Sequence, residues 1–158
     1  MLRAFPFPHV LELDVSTGTD GLRAETTLTA GDRGPVPVSF GWHPYFRLPG
    51  SAEGWRLELP DCTSLELGVR GIPTGRSVPG RRGTVIAPRS RLGQLFALER
   101  PSSVAVAGGG LRFEVRYGAG YIEPMTAPTD ALTRDECPLV DPGETLRAAF
   151  EVAVSKES

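Results

Sequence analysis

The chain contains 158 residues, of which 40% are hydrophobic and 23% are charged, and its formal net charge at pH 7 is −2. This composition is that of an ordinary globular domain and excludes a disordered chain. The small net charge gives no reason to expect nucleic acid as a partner. Apolar runs are only a few residues long, so no membrane span is predicted.

Residues 1–6 are too short and too interrupted by proline for a signal peptide, so a cytoplasmic location is expected. The two cysteines, Cys62 and Cys137, form no closely spaced pair. Two idle thiols are therefore the favoured interpretation, and a single long-range disulfide is the alternative.

Five segments alternate apolar and polar residues, and each predicts a β-strand with one buried and one wet face. In chain order they cover residues 11–15, 22–30, 55–59, 111–117 and 146–154. Turn-forming residues separate them at 31–34, 79–83, 108–110 and 141–143. No segment of helical length has a 3.6-residue period. The pattern predicts an all-β, antiparallel sandwich or barrel, in one domain over residues 1–158.

Residues 40–50 form the first unusual segment, with four aromatic rings, a histidine and an arginine. In a strand, Phe40 and Trp42 point to one face, and His43 and Tyr45 to the other. The pattern puts a titratable imidazole beside an aromatic ring, and such rings stack well on the C–H faces of sugars. The alternative is a structural histidine in an aromatic strand.

Residues 121–132 form the second unusual segment, in which Glu123 lies among the apolar residues Ile122, Pro124 and Met125. Partial burial there would raise the pKa of the carboxylate and make it a better base near neutral pH. The alternative is a strand-end glutamate held by backbone donors.

Other chemistries are excluded by the residues present. His9 and His43 are the only histidines, so a histidine-rich zinc site is not possible. Residues 118–120 lack the third glycine and the following helix of a dinucleotide-binding loop. No metal and no cofactor is expected.

Three segments resemble motifs of one family, the aldose 1-epimerases, also called galactose mutarotases. Residues 41–48 (GWHPYFRL) resemble its histidine motif, residues 122–132 its glutamate motif, and residues 140–147 its last turn and strand. The resemblance runs from about residue 8 to residue 154 and is to the C-terminal half of the family. It implies a truncated form of the large antiparallel mutarotase β-sandwich, the galactose mutarotase-like supersandwich.

The resemblance also implies a reaction and its residues. Glu123 matches the general base that takes the proton from the anomeric hydroxyl, and His43 matches the general acid that protonates the ring oxygen. The neighbouring residues Trp42, Tyr45 and Arg47 are assigned to substrate binding. The implied function is interconversion of the α and β anomers of an aldohexose, with a small sugar as partner and no cofactor.

Departures from the family pattern support an alternative function. The N-terminal half of the family, with a second active-site histidine and an arginine, has no counterpart, and Gly93 and Gln94 stand where the family has a sugar-binding aspartate. The alternative is a non-catalytic mutarotase-like domain that binds carbohydrate or protein. A halved sandwich also leaves strand edges unpaired, which predicts a homo-oligomer.

Overall fold

A computed structural model describes residues 4–80, 85–86, 95–98, 101–118, 120–121 and 124–157. These residues form β-strands and two short 3₁₀ helices, Ala52–Gly54 and Ala131–Arg134. Every strand pairing among them is antiparallel. The antiparallel all-β fold predicted from the alternating pattern is therefore confirmed.

The described part of the chain contains thirteen strands in three sheets. In chain order the strands are β1 (His9–Gly18), β2 (Gly21–Ala30), β3 (Val36–Pro37), β4 (Arg56–Glu58), β5 (Thr63–Leu67), β6 (Pro73–Pro79), β7 (Val85–Ile86), β8 (Leu95–Leu98), β9 (Ser102–Gly108), β10 (Leu111–Tyr117), β11 (Gly120–Tyr121), β12 (Leu139–Val140) and β13 (Thr145–Lys156). The large sheet has the order β1-β2-β13-β10-β9-β4-β7, a smaller one has the order β11-β8-β5-β6, and β3 pairs with β12.

The alternating segments form strands that turn their apolar residues to one face, and this face is buried in β2 but exposed in β1, where a buried face was expected. In β2, Ala24, Thr26, Leu28 and Ala30 are buried, while the residues between them are half-buried. The segments at 11–15, 22–30, 111–117 and 146–154 lie wholly within β1, β2, β10 and β13. The segment at 55–59 shortens to the three residues of β4.

Strand β13 lies at the centre of the large sheet, between β2 from the start of the chain and β10. Phe150 of β13 is opposite Ala24 of β2 on one side and opposite Tyr117 of β10 on the other. Phe150 and Ala24 belong to one buried cluster with Val115 and Val152. One buried cluster therefore joins β2, near the start of the described chain, to β13 at its end.

Buried clusters also join the large sheet to the two smaller ones. Leu28 of β2 packs with Val36 of β3 and Val140 of β12. Phe96 of β8 packs with Val104 of β9. One face of the large sheet, which we call the inner face, is thus covered by other sheets, as in a β-sandwich.

The other face of the large sheet, which we call the outer face, carries paired charges. Arg112 of β10 donates hydrogen bonds to Glu58 of β4 and to Glu114 of its own strand, both at 2.9 Å. Arg116 donates to the same Glu114 at 3.1 Å. Because these side chains alternate with the inner apolar ones, the outer face stays in water while charges of opposite sign neutralise each other.

Candidate functional site

The aromatic segment at residues 40–48 is extended but is not a regular strand. Its only bridge among the described residues joins Gly41 to Met125. Proline lacks the N–H group that a strand ladder needs, and Pro44 lies in the middle of the segment. The two faces of the segment nevertheless alternate as they would in a strand. Even-numbered residues are half-buried or buried, and the odd-numbered ones are exposed.

The inward face of this segment is anchored on the large sheet. The Trp42 indole N–H donates to the Thr26 hydroxyl at 3.3 Å, and the Trp42 ring lies 5.9 Å from the Phe150 ring. Phe46 packs on Phe113 with 5.4 Å between ring centroids. Trp42 thus lies on the face opposite His43, and the structure does not bring these two predicted site residues together on one surface.

The outward face carries the other described candidates. The His43 imidazole stacks on the Tyr45 ring with 4.8 Å between centroids and 26° between planes. Tyr45 is 88% exposed, and His43 and Arg47 are exposed as well. The stack gives a flat aromatic surface next to an acid–base group and a guanidinium, an arrangement suited to a polar ring-shaped ligand.

Residues 124–126 run beside the aromatic segment and are held by backbone hydrogen bonds. The Trp42 N–H donates to the Pro124 carbonyl at 2.9 Å, and the Thr126 N–H donates to the Phe40 carbonyl at 2.9 Å. The Thr126 hydroxyl in turn accepts a hydrogen bond from the Phe40 N–H at 3.0 Å. The predicted base Glu123 lies outside the described residues, as do Gly93 and Gln94.

Two cavities lie where these segments meet the large sheet. The smaller, of about 130 Å³, is mostly apolar and is lined by His43, Pro44, Phe46, Val104, Val115, Tyr117 and Pro124. The larger, of about 200 Å³, is lined on one side by Phe40, Trp42, Met125 and Thr126 and on the other by Gly118, Arg147, Ala148, Ala149 and Phe150. Tyr117 and Pro124 line both cavities.

Tyr117 was not singled out by the sequence. Burial raises the pKa of its phenol, and its hydroxyl is buried without a hydrogen-bond partner among the described residues. Its position at the end of the alternating segment 111–117 predicted only that it faces the core. The only sequence feature that could have indicated Tyr117 is its hydroxyl group, because the other residues on that face of the segment are apolar.

The two cysteines do not form a disulfide with each other. Cys62 and Cys137 are both free, and burial raises the pKa of both thiols, while the interpretation of idle thiols stays a prediction. The described residues contain no group of three His, Cys, Asp or Glu side chains that could hold a metal ion. No helix in the described part of the chain has the length and apolar character needed to cross a membrane.

Comparison with known proteins decides the family. The family model for aldose 1-epimerase matches residues 3–99. The chain belongs to the aldose 1-epimerase family. A comparison with curated protein sequences finds no match.

Solved structures of mutarotase-like proteins share the fold. A galactose mutarotase-like protein from Clostridium acetobutylicum superposes on 99% of this chain, with a TM-score of 0.77 and 14% sequence identity. The matched part is 59% of the Clostridium protein. One from Lactobacillus casei matches 98% at 18% identity, with a TM-score of 0.75 over 66% of its length. A galactose 1-epimerase from Lactobacillus acidophilus matches 95% at 12% identity, with a TM-score of 0.62 over 68% of its length. The chain therefore has the predicted mutarotase-like fold and spans about three fifths of the first relative.

Proposed function

We propose that this chain is a mutarotase that interconverts the α and β anomers of an aldohexose, with Glu123 as general base and His43 as general acid. The observation that carries the proposal is the hydrogen bond from the Trp42 N–H to the Pro124 carbonyl, at 2.9 Å. His43 follows Trp42 in the chain, and Glu123 precedes Pro124. Since consecutive Cα atoms are about 3.8 Å apart, this bond supports a shared site for both candidates.

The reaction needs one proton acceptor and one proton donor at neighbouring atoms. Glu123 takes the proton from the anomeric hydroxyl while His43 gives a proton to the ring oxygen, and the bond between the anomeric carbon and the ring oxygen breaks. The free aldehyde rotates about the adjoining carbon–carbon bond. The reverse proton transfers then close the ring with either configuration, so both residues return to their starting states and no oxidant or reductant is consumed.

The exposed stack of His43 on Tyr45 supports the predicted sugar contacts. Tyr45 offers an aromatic face for the C–H groups of a pyranose, and Arg47 offers hydrogen-bond donors for its hydroxyl oxygens. Trp42 contributes from the inner side, because its ring on Phe150 and its bond to Thr26 fix the backbone that carries His43.

The decisive experiment is polarimetry on freshly dissolved α-glucose and α-galactose, with the full chain and its variants. We expect Glu123→Gln to remove most of the acceleration, because an amide cannot accept the anomeric proton, and His43→Asn to remove the proton donor. Each loss should be on the order of 10²–10⁴ in rate.

His9→Asn is the matched control. His9 is bonded through Nδ1 to the Phe7 carbonyl at 2.8 Å and packs edge-on against Phe5, which is a local structural role. Its substitution should leave mutarotation unchanged. Full activity in Glu123→Gln, beside a clearly active parent, would show that the base is assigned wrongly.

The second candidate function is a non-catalytic domain that binds carbohydrate or protein. It is favoured by the coverage, since the chain spans only 59% of a mutarotase-like relative. This candidate predicts mutarotation no faster than buffer for the parent chain. Sugar titrations monitored by NMR would then separate its two forms, since only a carbohydrate-binding domain gives saturable shifts in the region of His43 and Tyr45.

A further inference from the structure

Strand β1 is apolar and exposed at the edge of the large sheet. Leu11, Leu13 and Val15 are 56%, 52% and 55% exposed. Their partners across the pairing with β2 are all buried residues of the inner face. Among the described strands none pairs with the other side of β1. These three side chains therefore extend the inner face of the large sheet beyond the part that the smaller sheets cover.

On that side, the backbone of the same residues has no strand partner in the described part of the chain. The Ala30 N–H donates to the Glu144 carbonyl towards β13, at 3.0 Å, and the Gly31 N–H donates to the Pro8 carbonyl towards β1, at 2.8 Å. Successive residues of a strand direct their backbone groups to opposite sides. Odd-numbered residues of β2 therefore bond to β1, and their partners in β1 are even-numbered. The odd-numbered residues of β1, which are the exposed apolar ones, direct their N–H and C=O groups to the free edge.

In the registers that overlap the two strands most, a second copy of β1 is a poor occupant of this edge because of the charges on its outer face. An antiparallel pair of β1 strands centred on Leu13 places Glu12 opposite Asp14 of the other copy. Pairs centred on Glu12 or on Asp14 place that carboxylate opposite itself. Like charges directly opposite destabilise a strand pair. The homo-oligomer predicted from unpaired edges stays a prediction, and at this edge it would be confined to shifted registers, such as a pair centred on Val15 in which Asp14 lies opposite Ser16.

We infer that the free edge of β1 binds an extended polypeptide segment, outside these 158 residues, in which apolar residues alternate with Lys or Arg. Its backbone would pair with the free N–H and C=O groups, its apolar side chains would extend the inner face, and its basic side chains would lie opposite Glu12 and Asp14. There is room for such a strand among the described residues, since no described strand pairs with this edge of β1.

The inference can be tested with synthetic peptides and the full chain by isothermal titration calorimetry. The probe is an acetylated ten-residue peptide that alternates valine with lysine. Matched controls alternate valine with glutamate, or carry N-methyl groups on alternate amides of the lysine peptide. We expect the lysine peptide to bind, the glutamate peptide to bind at least about tenfold more weakly, and the N-methylated peptide to lose binding because it cannot pair as a strand.

Variants of the chain make the test specific to β1. The double variant Glu12→Lys, Asp14→Lys should reverse the preference, so that the glutamate peptide binds more tightly. Leu13→Glu should weaken both peptides, with circular dichroism as the check on folding. If Leu13→Glu fails to fold, the charge reversal still decides.

Four results would overturn the inference, and three of them concern the peptides. They are absence of binding by the lysine peptide, equal binding of the two charged peptides, and an unchanged preference in the double variant. A dimer at neutral pH that Leu13→Glu dissociates would also overturn it, because it would make a second copy the occupant.

Discussion

Tyr117 belongs both to the core and to the lining of the candidate site. Its ring closes both cavities and packs against two buried clusters, yet its hydroxyl has no partner among the described residues. A buried donor without a hydrogen bond costs about 1–3 kcal/mol relative to water. The hydroxyl therefore works against stability unless a ligand supplies the missing bond.

We predict that Tyr117→Phe raises the free energy of unfolding by about 1 kcal/mol, because the ring stays and the unpaired hydroxyl goes. Chemical denaturation of the parent and the variant measures the difference. Tyr45→Phe is the matched control, since its hydroxyl is in water and its loss should change stability little. A clear loss of stability in Tyr117→Phe would mean that the hydroxyl is bonded in solution.

Glu114 governs the stability of the outer face in acid. The hydrogen bond from Arg116, aided by Arg112, lowers the pKa of this carboxyl to about 2 against the opposing effect of burial. A carboxyl whose pKa is lower in the folded than in the unfolded state stabilises the protein above its unfolded pKa of about 4.5. That contribution is lost as the pH falls from about 4.5 to about 2.

The measurement is the difference in unfolding free energy between the parent and Glu114→Gln as a function of pH. It should be about 1–2 kcal/mol near pH 6, after allowance for solvent screening of the arginines, and should shrink towards zero near pH 2. Glu144→Gln, whose side chain is exposed immediately before β13, is the comparison variant. A difference that stays constant over this range would contradict the assigned pKa.

At the scale of elements, Gly21 fixes the start of β2. A Cβ atom at this position would overlap the Val152 carbonyl oxygen of β13, and the residue has a φ of 158°. Gly18, its direct partner across the β1–β2 hairpin, has open space around its Cβ position. The two glycines therefore differ in the close approach of a neighbouring strand and in backbone conformation.

We predict that Gly21→Ala lowers the unfolding free energy by about 2 kcal/mol or more, because backbone must move to admit the methyl group. Gly18→Ala should change it by less than about 1 kcal/mol. Thermal unfolding of both variants provides the comparison. Equal effects would show that the hairpin shifts freely against β13.

The sequence predicted the longest strands well and their arrangement poorly. Strands β2, β10 and β13 were recognisable because each turns an apolar face to the core, so that local alternation records the burial. Strand β1 shows the same alternation, although its apolar face is exposed. The pairing of β2 with β13 left no local signal, since it joins residues far apart in the chain. The same limit applies to the site: the faces of Trp42 and His43 followed from alternation, whereas the bond from Trp42 to Thr26 did not.

At the scale of the whole molecule, β13 holds the large sheet together. We predict that a chain ending at Glu144 shows no cooperative unfolding transition, because β2 and β10 lose their common neighbour and the buried cluster around Phe150. Circular dichroism during heating tests this. Glu157→Gln, which removes only the partner of Arg56 beyond the strand, should retain the transition. A cooperative transition in the shortened chain would contradict a central role for β13.

The place of β13 also bears on how the protein is made. Translation delivers this strand after the other twelve described strands, although it occupies the middle of the sheet. Until residue 156 has left the ribosome, β2 and β10 lack the strand that lies between them, and their apolar inner faces stay exposed. Chaperones that bind apolar segments would bind the nascent chain during that interval. A premature stop codon a few codons before residue 145 would remove the centre of the sheet, and its product would be a substrate for proteolysis.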